Sequence, residues 1–245
     1  MPGQRLWFHT FGFGFDELRN DYKVVSIMSI GDQPWAEVYS LNSGSWREIS
    51  PKALRYTIAI GAPQAYLNGV AHWVATDYRK PRGDAKCSCI VTFSIKEEVF
   101  GEMNLPETRS MTLEVLVRLQ RMTVLQESLS YIDIDADCYV PRFWVWVMKK
   151  YGVEDSWTLL FRVDTSDMVW PVGFRMNGEF VMEANRALIS YDPESKQVKD
   201  LGIHGYDLLQ CFDNFYVGKY VESLVLLDRR GRAVLTPEHS GTTDG

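Results

Sequence analysis

Cysteine is scarce in this 245-residue chain. Cys87, Cys89, Cys138 and Cys211 are too few and too unevenly placed for a disulfide scaffold. No C-x-x-C pair exists to close a zinc site, so all four read as reduced thiols. Histidine is as sparse: His9, His72, His204 and His239 form no H-x-x-x-H or H-E-x-x-H arrangement, and there is no G-x-S-x-G elbow. The segment Met1 to Trp7 lacks a basic stretch leading into an apolar one, and no Asn-x-Ser/Thr sequon occurs. Apolar runs such as Val221 to Leu227 stop far short of the roughly 20 residues a membrane helix needs. Positive charge is also in deficit, with 26 Lys and Arg against 32 Asp and Glu and a formal net charge of −6. Such a chain has no general field to attract nucleic acid or an anionic membrane. The expected protein is soluble and intracellular, cytoplasmic and/or nuclear.

Aromatic rings are what the sequence has in excess: 8 Trp, 12 Tyr and 12 Phe. Rings suit pleated, half-buried surfaces, and the local period is mostly two. Tyr22 to Ile27, Glu37 to Leu41, Ile90 to Ile95 and Phe143 to Met148 are short β-branched and aromatic runs bounded by turn residues. Asn68-Gly69 and Asn177-Gly178, each flanked by apolar residues, predict hairpin tips with two-residue type I′ turns, because Asn and Gly tolerate positive φ. One segment departs from this pattern. Leu113, Leu116, Val117, Leu119 and Val124 interleave with Glu114, Arg118, Gln120 and Arg121, and they predict at most one short helix near 113–125.

Four stretches share one order of elements: a hairpin, a third strand, a polar turn and a final apolar strand. The third strands are expected to start at Ala36, Ile90, Phe143 and Leu188, spaced by roughly 45 to 55 residues. About four strands per repeat of that length fits a kelch-like β-propeller, in which radial stacking buries both faces of each sheet. Rings in the final strands, Trp46, Phe100 and Trp157, suit packing between blades. A β-sandwich has similar turn spacing and stays open as the other all-β architecture.

The catalytic inventory is thin. His72, beside Trp73 in an apolar strand, reads as a satisfied structural histidine. Gly12 and Gly14 in Phe11-Gly-Phe-Gly-Phe-Asp16 lack the third glycine and the following helix of a phosphate loop, so they are expected to let the backbone pack between rings. Asp133, Asp135 and Asp137 do not complete a calcium loop, since Cys138 and Trp144 stand where Gly and Glu are needed; a solvated strand end or turn is expected instead. Tyr78, Arg79, Lys80 and Arg82 lie in a basic loop and are the candidate partner-binding residues. No catalytic residue, cofactor or metal ligand is expected, and the chain does not read as an enzyme.

Several stretches, in order, carry a resemblance. They are Gly12-Phe-Gly-Phe-Asp16, Asp21-Tyr-Lys-Val-Val25, Glu37 to Leu41 with Gly44-Ser-Trp-Arg47, and Leu67-Asn-Gly-Val-Ala-His-Trp73. Trp146 to Val153 with Ser156-Trp157, and Tyr220-Val-Glu-Ser-Leu224, follow. The set resembles the F-box-associated interaction domain (type 1) of plant F-box and F-box/kelch proteins. The resemblance implies a domain over 6–230, with a polar, disordered tail over 231–245. It implies a substrate-recognition module of an SCF-type ubiquitin ligase, holding a target protein for ubiquitination without catalytic residues of its own. Docking onto the SCF adaptor would need an F-box, which residues 1 to 11 cannot hold, and the resemblance also implies a blade ahead of the motif that starts at Gly12, so the chain is expected to be truncated and the propeller incomplete. A carbohydrate- or small-ligand-binding propeller, and an inert remnant, are the alternative readings.

Overall fold

The computed structural model describes residues 8–30, 33–50, 57–58, 64–76, 88–107, 120–135, 142–165, 169–205, 215, 217, 226–227 and 233–234. Among these the chain is all β, with no α-helix and a single 3-10 turn at Glu154–Ser156. Four antiparallel sheets form a four-bladed propeller. Blade 1 holds β1 (Phe8–Asp16), β2 (Asp21–Ile30), β3 (Gln33–Ser40) and β4 (Ser45–Ile49). Blade 2 holds β5 (Thr57–Ile58), β6 (Ala65–Leu67), β7 (Val70–Thr76), β8 (Ser88–Ser94) and β9 (Val99–Met103). Here β5 and β6 both pair with β7, Thr57 opposite Thr76 and Ala65 opposite His72, so they are two pieces of one first strand. Blade 3 holds β10 (Arg121–Leu125), β11 (Ser128–Asp135), β12 (Arg142–Met148) and β13 (Trp157–Asp164). Blade 4 holds β14 (Val169–Phe174), β15 (Phe180–Ala184), β16 (Ala187–Tyr191) and β17 (Val198–His204). A last pair, β18 (Leu226–Leu227) and β19 (Ala233–Val234), stands apart.

The period-two pattern explains the stacking. In β7, Ala71, Trp73 and Ala75 join Val25, Ile27, Ala36 and Val38 of blade 1 in one core layer. The intervening Val74 turns to the opposite side and packs with Met122, Leu129 and Tyr131 of blade 3. Blades 3 and 4 close in the same way through Ile132, Phe143, Val145 and Val163 against Val169, Phe174, Phe180 and Met182. A sheet with two apolar faces thus finds a neighbour on each, which a two-layer sandwich would not supply. Phe100 and Trp157 pack between blades as expected, Phe100 against the layer shared by blades 1 and 2 and Trp157 against that shared by blades 2 and 3. Trp46 does not: it stays half-exposed and tilts against Tyr39 on the open face of blade 1.

Two local expectations change. Asn68 and Gly69 have φ of 53° and 76° and make the two-residue turn between Leu67 and Val70. At Asn177-Gly178 only the glycine is left-handed, at φ 88°. The Gly178 N–H donates to the Arg175 carbonyl and the Arg175 N–H to that of Glu179, giving a longer hairpin whose bulge falls on the glycine. The second change lies at 113–125. Residues 121–125 form β10, paired with β11 from Arg121 opposite Ile132 to Leu125 opposite Ser128. Thr123 and Val124 stiffen the backbone toward extended geometry, and pairing in the blade outweighs an amphipathic spacing that lacks a helix cap. Residues 113–119 lie outside the described residues.

Candidate partner-binding face

The two ends of the blades are built differently. Connections from first to second and from third to fourth strand share one end. They run through 17–20, 41–44, 68–69, 95–98, 126–127, 149–156, 175–179 and 192–197, mostly as tight turns. That end is locked by charge. Lys23 is 2% exposed, and its Nζ lies 2.6 Å from Asp16 Oδ2 and 2.8 Å from Glu98 Oε1. Arg19 donates to Asp16 and to the Lys96 carbonyl, and Arg47 pairs with Glu98, so blades 1 and 2 are tied by five charged side chains. Burial pushes the Asp16 carboxyl up, but hydrogen bonds from Lys23 and Arg19 outweigh it and hold the group well below the ordinary carboxylate range.

The opposite end carries the connections from second to third strand, at 31–32, 77–87, 136–141 and 185–186. Tyr78, Arg79, Lys80 and Arg82 fall in 77–87, which joins β7 to β8 and lies outside the described residues. At this same end the start of β12 and the end of β13 form a cleft of about 260 Å³ lined by Arg142, Trp144, Arg162 and Asp164. Cross-strand register creates it: Arg142 stands opposite Asp164 and Trp144 opposite Arg162. The Arg162 guanidinium lies over the Trp144 ring at 4.4 Å, and Arg142 Nε is 3.2 Å from Asp164 Oδ1. Sequence reasoning did not single out these residues. The alternation Arg142-x-Trp144 was visible, but the strand opposite it was not.

His72, Gly12 and Gly14 serve the packing of the blades. His72 is buried, with Nδ1 3.0 Å from the Ala65 carbonyl and Nε2 3.0 Å from the Tyr151 hydroxyl. Burial lowers its pKa to about 4 despite the Ala65 and Val70 backbone contacts, so the ring is neutral. Nδ1–H then donates to Ala65, and Nε2 accepts from Tyr151. Gly12 and Gly14 are packing glycines, as expected. A Cβ at Gly12 would fall 2.6 Å from the Trp73 ring, and one at Gly14 2.5 Å from the Tyr66 ring. Tyr66 and Gln64 also serve the edge of β1: Phe13 exchanges backbone hydrogen bonds with the Gln64 amide, and the Tyr66 hydroxyl meets Phe15 N and O.

Asp133 corrects an expectation. It is not a solvated strand end but a buried residue of β11, accepting hydrogen bonds from Gln120 Nε2 at 3.0 Å and the Tyr131 hydroxyl at 3.1 Å. Tyr131, on the same strand face two residues earlier, brings the donor that makes burial tolerable. Burial, followed by the Asp133 charge, raises the Tyr131 pKa. Among the described residues, no group of three or more His, Cys, Asp or Glu side chains could hold a metal ion. Cys89 is a buried thiol, while Cys87, Cys138 and Cys211 lie outside the described residues. No helix among them is long and apolar enough to cross a membrane.

A sequence profile of the F-box associated beta propeller domain matches residues 4–227. The chain is similar to F-box protein CPR1 of Arabidopsis thaliana, 27% identical over 243 residues that cover 88% of this chain and 56% of that protein. It is also similar to F-box protein At3g07870 of the same plant, 25% identical over 80% of this chain and 55% of the relative. F-box/kelch-repeat protein At3g23880, again from Arabidopsis thaliana, is 25% identical over 75% of this chain and 48% of its own length. The chain spans about half the length of the curated relatives it matches.

Proposed function

The chain belongs to the F-box associated beta propeller family, and on that premise we propose that it is the substrate-recognition module of an SCF-type ubiquitin ligase. It holds a target protein for ubiquitination without performing chemistry itself, inside the cell, in cytoplasm and/or nucleus. The observation that carries this reading is the family match across 4–227, joined to similarity with proteins named as F-box proteins. The fold is compatible with it: a stack of blades, the first two tied by charge at one end, carries its longest within-blade connection, 77–87, between β7 and β8 at the other, and loops on such a scaffold are where recognition commonly resides. Tyr78, Arg79, Lys80 and Arg82, in the connection from β7 to β8, are proposed contact residues. Docking to the SCF adaptor belongs to an F-box, so it depends on sequence outside the matched region.

The test is affinity purification from Arabidopsis thaliana cells under proteasome inhibition, using the chain fused behind an F-box. A target is expected whose recovery falls at least about ten-fold when Arg79, Lys80 and Arg82 are all changed to Ser. If nothing is enriched over an unrelated propeller handled identically, the recognition reading fails.

A second reading has one observation in its favour. Phe13, Val24, Tyr39 and Trp46 stand in register across all four strands of blade 1, with Phe13 and Trp46 about half-exposed. Such a row of rings suits stacking on sugar faces. Saturable binding on a glycan array, lost in Trp46→Ala, would support carbohydrate recognition; a blank array removes it.

A further inference from the structure

The cleft between β12 and β13 is a second, separate recognition element, and it rests on the recognition reading above. We propose that it is a carboxylate-binding site that seats an acidic segment of the protein partner. Three features of the cleft point to this.

The first is the arrangement of donors. Arg142 uses Nε toward Asp164, at 3.2 Å, which leaves the two terminal nitrogens of its guanidinium without a carboxylate among the described residues. Arg162 holds its guanidinium carbon over the Trp144 ring, 4.4 Å from the centroid, and no carboxylate among the described residues lies within ion-pair distance of it. A guanidinium carries its N–H donors as a planar fork, and cation–π attraction to a ring uses none of them. Two such forks are matched to a carboxylate, which accepts paired N–H bonds. Stacking also fixes the rotamers of Arg162 in advance, so less conformational freedom is lost when a ligand arrives.

The second feature is charge. Arg142, Arg162 and Asp164 leave the cleft with a net positive charge on a chain whose formal charge is −6. An acidic segment is therefore repelled by most of the surface and drawn to this place, which gives position as well as affinity.

Size is the third. About 260 Å³ is smaller than the roughly 300–1,000 Å³ usual for cofactors and metabolites. It fits one or two side chains, so the occupant is part of a peptide. The cleft also opens at the end of the propeller where β7 stops and β8 begins.

The experiment is fluorescence anisotropy with labelled hexaglutamate, titrated with the full chain, and with hexaglutamine and a phosphoserine-containing hexaglutamine as separate probes. Hexaglutamate is expected to bind saturably and more weakly as salt rises. Arg162→Gln should weaken it about ten-fold, Arg142→Gln with Arg162→Gln should abolish it, and Asp164→Asn should tighten it several-fold. Both arginines lie on the exposed side of their strands, so the variants should unfold at the parent temperature. Equal binding of hexaglutamate by the double variant, equal binding of hexaglutamine, or binding only of the phosphoserine probe overturns the assignment. No target or F-box enters this titration, so its failure is separate from failure of the recognition reading. Conversely, a captured target that ignores the double variant sinks the cleft and leaves that reading intact.

Discussion

Lys23 Nζ lies 2.6 Å from Asp16 Oδ2 at the junction of blades 1 and 2, with both side chains at most 2% exposed. Two charges this deep persist because each is partnered several times over, by Arg19, Glu98 and the Ile95 carbonyl. Removing Lys23 or Asp16 leaves the other charge buried without its nearest partner. Lys23→Met is expected to lower stability by about 3 kcal/mol, near the lower end of the range for broken buried pairs, because Arg19 and Arg47 still reach the two carboxylates. Urea unfolding at pH 7 measures it; a loss below about 1 kcal/mol would show the cluster to be hydrated.

Gly12 sets how closely blade 1 approaches blade 2. A methyl group there meets the Trp73 ring at 2.6 Å and Val25 at 2.7 Å, and Trp73 is fully buried with no room to turn. Gly12→Ala should therefore destabilise the chain by about 1–3 kcal/mol, which for this size is a fall of roughly 2–10 °C in Tm. Calorimetry checks it, with exposed Gly152→Ala as the contrast, where nothing lies within 4 Å and only the left-handed φ of 77° is strained.

The blades were legible in the sequence because each strand carries its own alternation and each turn its own chemistry. Expected third-strand starts at Ala36, Ile90, Phe143 and Leu188 fall within three residues of the observed Gln33, Ser88, Arg142 and Ala187. Strands with mixed signals were lost. β10 carries a spacing that also suits a helix, and β14 is interrupted by Pro171, where its register with β15 shifts. Relationships across strands were invisible. Lys23 and Glu98 lie far apart in the chain, and the Trp144–Arg162 pairing sits beyond a shift in register at Val145/Trp146. Composition says that arginines and rings are present; only pairing decides which of them meet.

His72 makes stability fall as acid is added. Its folded pKa is depressed to about 4, below the ordinary 6.5, so the neutral ring is the form that the fold favours. Its contribution is complete above about pH 6.5 and is lost as pH falls toward 4, because the unfolded chain takes up the proton first. Each tenfold drop in proton affinity corresponds to roughly 1.4 kcal/mol, so about 3 kcal/mol disappears across that window. Asp16 adds a second stage, since its depressed carboxyl stabilises above about pH 3.8 and loses that contribution below. Urea unfolding from pH 7 to pH 4 should show a slope that His72→Gln largely removes; an unchanged slope would assign the proton uptake elsewhere.

Two turn residues share φ 55° and should respond oppositely to glycine. Gln126 lies in the exposed two-residue turn between Leu125 and Ser128, where the left-handed backbone is unfavourable for a residue with a Cβ. Gln126→Gly is expected to stabilise by about 0.5–1 kcal/mol, the relief of that strain less the greater freedom of glycine in the unfolded chain. Glu98 holds the same φ but reaches Lys23 at 2.8 Å and pairs with Arg47. Glu98→Gly removes the same strain and leaves the buried Lys23 with one carboxylate fewer, so a net loss of about 1–2 kcal/mol is expected. Thermal unfolding of the two variants side by side decides the point. If both stabilise, the charge cluster contributes less than one strained turn, and the locked end of the propeller would have to be attributed to the apolar layers alone.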